Sequence, residues 1–226
     1  MINATETDST ARRIMRSALK LFARKGYGAV GIREIALDAG ISTAALYHYM
    51  RTKEDLLVEL MTDRLHRITA AVRAALEDLP EPERQLVAAV RVHIISHGRF
   101  PEGVVDEEVR SLSPQARPGI IALRDEYEEL WDRVLEAGVE SGVFELENPR
   151  FARLALLEMC NGVVHWYTPR GEEDLHQIAD AYGDMALGLV RARRRGSQLR
   201  LRDLRMPSSV HYAAIVSRVY GDLGEA

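Results

Sequence analysis

Residues 31–57 read GIREIALDAGISTAALYHYMRTKEDLL, and this stretch decides the fold. Its first part carries apolar residues at helical spacing and ends at Gly40, whose backbone can adopt the left-handed conformation of a tight turn. Ser42 is a good N-cap for a further helix, predicted over residues 43–49. Two short helices joined by a glycine-containing turn predict a helix-turn-helix.

Helices are predicted on both sides of this stretch. Apolar residues within 14–22 recur on one helical face, and Gly26 is placed to end that helix in a left-handed cap. Residues 52–55 form a predicted capping box at the start of a long helix, which Pro80 and Pro82 stop. Helical periodicity continues to residue 190 and no segment shows strand alternation, so the predicted fold class is all-α.

Candidate DNA contacts lie at the exposed positions around the turn. Ser42, Thr43 and Ala44 are predicted to meet base edges in the major groove, because hydroxyls can donate or accept there and an alanine methyl can touch a thymine methyl. The flanking polar side chains predicted to contact phosphates are Arg33, Tyr47, His48 and Lys53.

The charge distribution agrees with a DNA-binding N-terminal part. Residues 1–57 hold nine Lys/Arg against six Asp/Glu, whereas the remainder holds 21 against 28. A net charge of −4 excludes a protein that coats nucleic acid indiscriminately. A basic head on an acidic body indicates that only the head meets phosphate.

Composition excludes several other classes of protein. Cys160 is the single cysteine, so an internal disulfide is impossible and a cytoplasmic location is expected. Residues 1–10 do not resemble a signal peptide, and no apolar run approaches the ~20 residues that span a membrane. No Gly-x-Ser-x-Gly, phosphate loop or His-Glu-x-x-His is present, so we expect no enzyme, no catalytic residues, no bound metal and no cofactor.

The motif around the turn resembles the signature of the TetR family of bacterial repressors. The matching residues are Ile35-Ala36, Ala39-Gly40-Ile41-Ser42, Leu46-Tyr47-His48-Tyr49 and Lys53-Glu54-Asp55-Leu56-Leu57. Two positions depart from the pattern: Tyr49 replaces a usual Phe, and Gly31 stands where Thr often caps the second helix. The loss of that hydroxyl leads us to expect more backbone contact from Arg33, Tyr47 and Lys53.

The resemblance implies a homodimer with a three-helix head and a larger C-terminal domain that binds an inducer. The implied boundaries are a DNA-binding domain over 8–56, a helical ligand-binding and dimerisation domain over 57–195, and a tail over 196–226 with no assigned role. Such a dimer would place two recognition helices on a palindromic operator of double-stranded DNA. The long helix after residue 52 is the expected lever between inducer and DNA.

The C-terminal part resembles a subgroup of that family associated with fatty-acid and CoA-thioester metabolism. Residues 131–144, 161–167, Pro169 and 178–182 carry this likeness. It implies that predicted helices 151–167 and 175–190 pair with their copies as a four-helix bundle, and that the inducer is a small hydrophobic or acyl-CoA-like molecule. Candidate ligand-binding residues, which ordinary core packing would also explain, are His93, His97, Tyr127, Trp131, Met159 and Trp166.

Three alternatives stay open at this point. His93 and His97 lie at i and i+4, a spacing that lets two imidazoles reach one metal, so a metal-responsive regulator is the alternative function. An enzyme or ligand carrier with a vestigial helix-turn-helix is the second. The arginine run within 191–205 could touch DNA or acidic lipid, or be a solvated tail.

Overall fold

A computed structural model describes residues 4–99, 108–169 and 171–221, with side chains from residue 10 onward. Parts of the predicted irregular segment 98–119 and of the tail, at 100–107 and 222–226, lie outside the described residues. The all-α prediction is confirmed. The helices are α1 Ala4–Lys25, α2 Ile32–Asp38, α3 Thr43–Leu46, α4 Lys53–Leu76, α5 Pro82–Arg99, α6 Arg117–Glu140, α7 Pro149–Asn161, α8 Val163–Trp166, α9 Leu175–Leu189 and α10 Ser209–Tyr220.

A small hairpin was not predicted. Strands β1 Arg193–Arg194 and β2 Ser197–Gln198 pair antiparallel and precede a 3-10 turn, Leu201–Asp203. The prediction of no strand is wrong here, because strands of two residues are too short to show alternation. The hairpin is set by Arg195 and Gly196, whose φ angles of +53° and +81° form the turn.

The described residues divide into two compact units. One consists of Met1–Arg64 and Pro101–Leu123, and the other of Leu65–Phe100 and Arg124–Ala226. The long helices α4 and α6 each continue from one unit into the other. None of the described helices combines the length and apolar character that crossing a bilayer requires.

The first unit, called the head below, confirms the predicted helix-turn-helix core. The apolar face of α1 within residues 14–22 is buried with Ile35 and Leu46. Gly26 and Gly40 have φ angles of +79° and +68°, as the turns require. Helix α3 is shorter than predicted, because the Tyr49 amide donates to the Leu46 carbonyl three residues back. This is the hydrogen bond of a 3-10 turn, so the α-helix ends before Tyr49.

The second unit is built around α5. Every residue from Leu86 to His97 is buried, rather than one face only, since α9 and α10 pack on α5 in addition to α7 and α8. Gly183 on α9 allows this approach, because an added Cβ would lie 3.1 Å from Val87 Cγ1. The predicted helix 151–167 is interrupted at Gly162, where the His165 amide donates three residues back.

Helix α10 belongs to the core of this unit, although the sequence assigned its residues no place. Tyr212, Ala213, Ile215 and Val216 are buried, and α10 packs against α5 and α9. The Arg91 guanidinium donates to the Pro207 carbonyl at 2.8 Å just before α10 begins. Residues 209–220 of the predicted tail are therefore folded structure.

Candidate functional site

The start of α3 is fixed by its N-cap. Ser42 is extended (φ −74°, ψ 152°), and its Oγ accepts the Ala45 N–H at 3.0 Å. Leu46 is fully buried one turn later and anchors the helix in the head. Ser42 and Ala44 are consequently exposed and Thr43 is half-buried, so the three predicted base-reading residues open the helix together.

Three of the predicted phosphate-contacting residues are exposed on the same unit. Tyr47 is 53% exposed directly after α3, and His48 beside it is also exposed. Arg33 is exposed in the first turn of α2, where Gly31 is the N-cap and supplies no side-chain hydrogen bond. The start of α2 therefore has no side-chain cap, and the expectation of more backbone contact from Arg33, Tyr47 and Lys53 stays a prediction.

Lys53 has a structural role that the sequence did not indicate. Its Nζ donates to the carbonyls of Tyr27 and Val30, at 2.8 and 3.0 Å, and lies 4.1 Å from the centre of the Tyr27 ring. Burial, together with nearby carboxylates, raises the pKa of Tyr27. Lys53 therefore braces the loop that leads into α2, and an ammonium has three N–H groups, so one donor remains for another acceptor.

The predicted capping box at the start of α4 is confirmed. Asp55 Oδ2 accepts the amides of Thr52 and Arg51 at 2.8 and 3.0 Å, and Thr52 Oγ1 accepts the Asp55 amide at 3.1 Å. The hydrogen bond from the Thr52 amide is the main cause of the lowered pKa of Asp55. A carboxylate that stays ionised holds this helix start firmly.

Two carboxylates that the sequence did not single out attach residues 108–113 to the head. Glu108 Oε1 accepts the Tyr27 amide at 3.3 Å, and Glu54 Oε1 accepts the Ser113 amide at 2.5 Å. These contacts join residues 59 to 81 positions apart, so no local pattern could have indicated them. They make the segment before α6 part of the unit that carries the helix-turn-helix.

A buried polar cluster in the second unit contains four of the predicted ligand-binding residues. The His93 ring is 2% exposed, with Nδ1 2.7 Å from Tyr127 Oη and Nε2 3.0 Å from Asn161 Oδ1. The amide oxygen only accepts, so this contact has Nε2 as the donor, and Nδ1 is then able to accept from the Tyr127 hydroxyl. Asn161 was missed, although an amide inside an apolar run is a usable signal.

His97 and Trp131 complete this cluster. The His97 ring stacks on His93 with centroids 4.0 Å apart, and its Nδ1 lies 2.9 Å from the His93 carbonyl oxygen. Trp131 meets His93 edge-on at 5.9 Å, and its buried indole N–H finds no acceptor within the described parts of the chain. An unsatisfied buried donor costs folding free energy unless something accepts from it.

Two other predicted ligand-binding residues are placed differently. Met159 is half-buried against the hydrophobic core. Trp166 is 47% exposed and packs near Tyr182, 6.5 Å between ring centroids. Cys160, which follows Met159 in the sequence, is fully buried. Burial raises the pKa of its thiol, so Cys160 packs as a neutral side chain.

The geometry gives no support to the metal-responsive alternative. Both ring nitrogens of His93 lie within hydrogen-bond distance of Tyr127 and Asn161. A search of the described residues finds no group of three His, Cys, Asp or Glu that could hold a metal ion.

Comparison with known proteins assigns the chain to a family. The profile of the bacterial regulatory proteins of the tetR family matches residues 14–60, and the profile of a tetracyclin repressor-like C-terminal domain matches residues 79–190. A solved bacterial regulatory protein of the tetR family from Rhodococcus RHA1 is 31% identical, with a TM-score of 0.75 over 82% of this chain and 98% of that one. The chain belongs to the TetR family.

Named regulators are among its TetR-family relatives. The HTH-type transcriptional repressor KstR2 of Mycobacterium tuberculosis is 26% identical over 189 residues, which are 82% of this chain and 94% of that protein. The solved fatty acid degradation regulator FadR from Bacillus halodurans is 26% identical, with a TM-score of 0.69 over 81% of this chain and 97% of that one.

The two TetR-family profiles do not reach the end of this chain. The head match contains α2 and α3, and the second match runs from before α5 to the end of α9. The hairpin, the 3-10 turn and α10 follow residue 190, so they lie beyond both matches.

Proposed function

We propose that this chain is a homodimeric transcriptional repressor that binds a palindromic operator and leaves it when a small hydrophobic or acyl-CoA-like ligand binds. The observation that carries the DNA-binding part is the capped, outward-facing start of α3 in a family of transcriptional regulators. A repressor of this kind acts in the cytoplasm, where its operator is. We propose no enzymatic activity.

The proposed DNA contacts divide into base readers and phosphate holders. Ser42 accepts from Ala45 through its lone pair, which leaves its O–H free to donate to a base edge. Ala44 presents a methyl group that suits a thymine methyl. Arg33, Tyr47, His48 and the remaining Lys53 donor would hold the backbone on either side, which fixes position without reading sequence.

Exposed apolar side chains on three consecutive helices support the proposed dimer. Large apolar side chains left exposed on neighbouring helices favour a partner that covers them, and a two-fold dimer would cover the same residues on both copies. These residues are Phe151 and Leu154 on α7, Trp166 on α8, and Met185 and Leu189 on α9.

A charge substitution tests the dimer. Met185 is 56% exposed, so Met185→Glu should fold normally while placing a carboxylate in the proposed interface. We expect sedimentation to show monomers and operator affinity to fall steeply. Val210→Glu, at a 62% exposed valine on α10, is the matched control and should remain dimeric. Dimers of the Met185→Glu variant that bind the operator normally would contradict this assignment of the interface.

The buried cluster supports a ligand with an apolar body and a carbonyl oxygen. The Trp131 indole N–H needs an acceptor, and the thioester or carboxyl oxygen of an acyl ligand supplies one. Tyr127, His93 and Asn161 form a fixed chain of polar groups beside it. The FadR relative is named for fatty acid degradation, which supports an acyl compound as the ligand class here.

Helix α6 offers a direct mechanical route between ligand and DNA. It begins at Arg117, four residues after the Ser113 amide that Glu54 holds, and it carries Tyr127 and Trp131 further along. A ligand that accepts from Trp131 and repositions α6 would act on that contact in the head. Effector coupling of this kind is typically worth ~1–3 kcal/mol.

Selection of bound duplexes from a random DNA pool, at physiological salt, tests the DNA-binding function. We expect one palindrome to be enriched, with half-sites about one or two helical turns apart. Binding that depends on ionic strength but enriches no sequence would contradict the proposal.

Tryptophan fluorescence tests the ligand. Titration with palmitoyl-CoA and butyryl-CoA, with free CoA as the control, should change the emission of the full chain. The change should disappear in Trp131→Phe and persist in Trp166→Phe, since Trp131 is the tryptophan in the buried cluster and Trp166 is at the surface. The opposite pattern, or a response to free CoA alone, would exclude the cluster as the acyl site.

A further inference from the structure

Residues 191–205 are arginine-rich, and the structure holds them on a rigid support. The Arg193 amide donates to the Val143 carbonyl and the Leu199 amide to the Ala192 carbonyl, both at 2.8 Å. The Arg194 guanidinium pairs with Glu83, whose side chain is completely buried. The hairpin is therefore tied to the core by backbone bonds and by an ion pair.

Only some of the seven arginines in this segment are used internally. Besides Arg194, Arg200 pairs with Asp184 at 3.0 Å and Arg191 lies 3.9 Å from Glu145. The four that remain are exposed, and none makes a side-chain hydrogen bond or ion pair in the described part of the chain: Arg193, Arg195, Arg202 and Arg205. We call these four the hairpin arginine surface.

The backbone conformation of the hairpin places an arginine side chain where the backbone is strained. Among the described residues, the non-glycine residues with positive φ are Arg191 (+49°) and Arg195 (+53°). A two-residue turn with positive φ at both positions favours Asn-Gly, whereas this turn is Arg195-Gly196. Strain at such a position is tolerated where the side chain has a use.

The composition of the segment indicates the chemistry of the partner. Its cations are all arginine, as are all but three of the 30 Lys/Arg in the chain, and the planar guanidinium is suited to two-point contact with phosphate oxygens. Residues 191–208 expose no large apolar side chain, which a segment lying on a membrane would insert between lipids. A phosphodiester backbone fits this surface better than a bilayer does.

We infer that the hairpin arginine surface is a second DNA contact, which binds the sugar-phosphate backbone without reading sequence. It lies on the second unit, beyond the residues that match the family profiles, and is independent of α3. The inference goes beyond operator recognition, because it concerns non-specific DNA. It also departs from the expectation, drawn from the charge distribution, that only the head meets phosphate.

Salt dependence of binding tests this surface. Anisotropy of a labelled duplex of random sequence is measured with the full chain across a salt series, for wild type and for Arg193→Gln/Arg202→Gln. Each lost phosphate contact reduces the slope of log K against log salt by about 0.9, so we expect a reduction of about 1.8. The charge-matched control is Arg133→Gln/Arg218→Gln, at two exposed arginines of the same unit, and its slope should equal that of wild type.

A third variant separates binding from folding. Arg195→Gly removes a side chain from a strained turn, so we expect its melting temperature to rise while its affinity for the random duplex falls. Equal slopes for the two double variants would overturn the inference. So would loss of binding to phosphatidylserine/phosphatidylcholine vesicles with unchanged DNA binding, which would assign the surface to a membrane.

A failure of this inference can be distinguished from a failure of the proposed function. Preference of wild type for its selected palindrome over random DNA reports on α3, whereas the slope difference on random DNA reports on the hairpin arginine surface. If wild type shows no preference for a palindrome but the slope difference on random DNA remains, operator recognition is refuted and the inference about the hairpin arginine surface stands.

Discussion

Replacing Ser42 with alanine removes the side-chain cap of α3. The Ser42 hydroxyl accepts the Ala45 amide at 3.0 Å, and α3 has only four residues, so few other bonds hold its first turn. Loss of such a cap costs about 1 kcal/mol. A dimer must form α3 in both half-sites, so the cost to operator binding reaches about 2 kcal/mol, which is roughly a 30-fold loss of affinity.

Two further substitutions at Ser42 separate helix stability from DNA contact. Ser42→Asn and Ser42→Asp both keep an oxygen that caps α3, so their free energies of unfolding should stay near that of wild type. Ser42→Asp adds a negative charge where we place DNA, so it should bind the operator much more weakly than Ser42→Asn, most clearly at low salt. Anisotropy titrations of the labelled operator and urea unfolding measure the two effects.

Either of two results would refute this reasoning. Operator binding by Ser42→Ala that is as tight as in wild type would show that the cap does not prepare α3 for DNA. Equal affinities of Ser42→Asp and Ser42→Asn would show that the start of α3 does not face phosphate or bases.

Three other substitutions test the structure of the two units. Gly138→Ala places a Cβ 1.9 Å from an aromatic ring of the core and should lower the free energy of unfolding by about 1–3 kcal/mol. Gly119→Ala, in open space on the same helix, should not lower it. Urea unfolding that ranks the two variants the other way would contradict this packing. The pKa of Asp55 is held below its ordinary value of 3.8, so the stability it contributes is present above that value and is lost as pH falls through the folded pKa. Thermal melts of wild type should therefore fall more steeply below about pH 4 than those of Asp55→Asn, and parallel curves would exclude this contribution. Tyr127→Phe removes the hydroxyl 2.7 Å from His93 Nδ1 and should lower the free energy of unfolding in urea by about 1–3 kcal/mol. In a His93→Ala background the same substitution should have little effect. An equal loss of stability in both backgrounds would show that the two side chains are not coupled.

The head could be predicted from the sequence in detail, because its determinants are local. The buried face of α1, the positive φ of Gly26 and Gly40, the Ser42 cap and the Thr52–Asp55 pair each depend on residues within a few positions of one another. The family motif is local for the same reason, so the DNA-binding class followed from about fifty residues.

The sequence by itself determined most of the helices, the family and the residues that open α3, while tertiary structure decided how distant side chains are used. Lys53 is bound to the carbonyls of Tyr27 and Val30, and His93 reaches Asn161, 68 residues away. The arginine-rich segment became a folded hairpin followed by a core helix, because Glu83 and α5 supply partners that lie over 100 residues earlier in the chain. Helical periodicity records which face of a segment is buried, but it does not record which distant residue meets that face, and this pairing is what the tertiary structure adds.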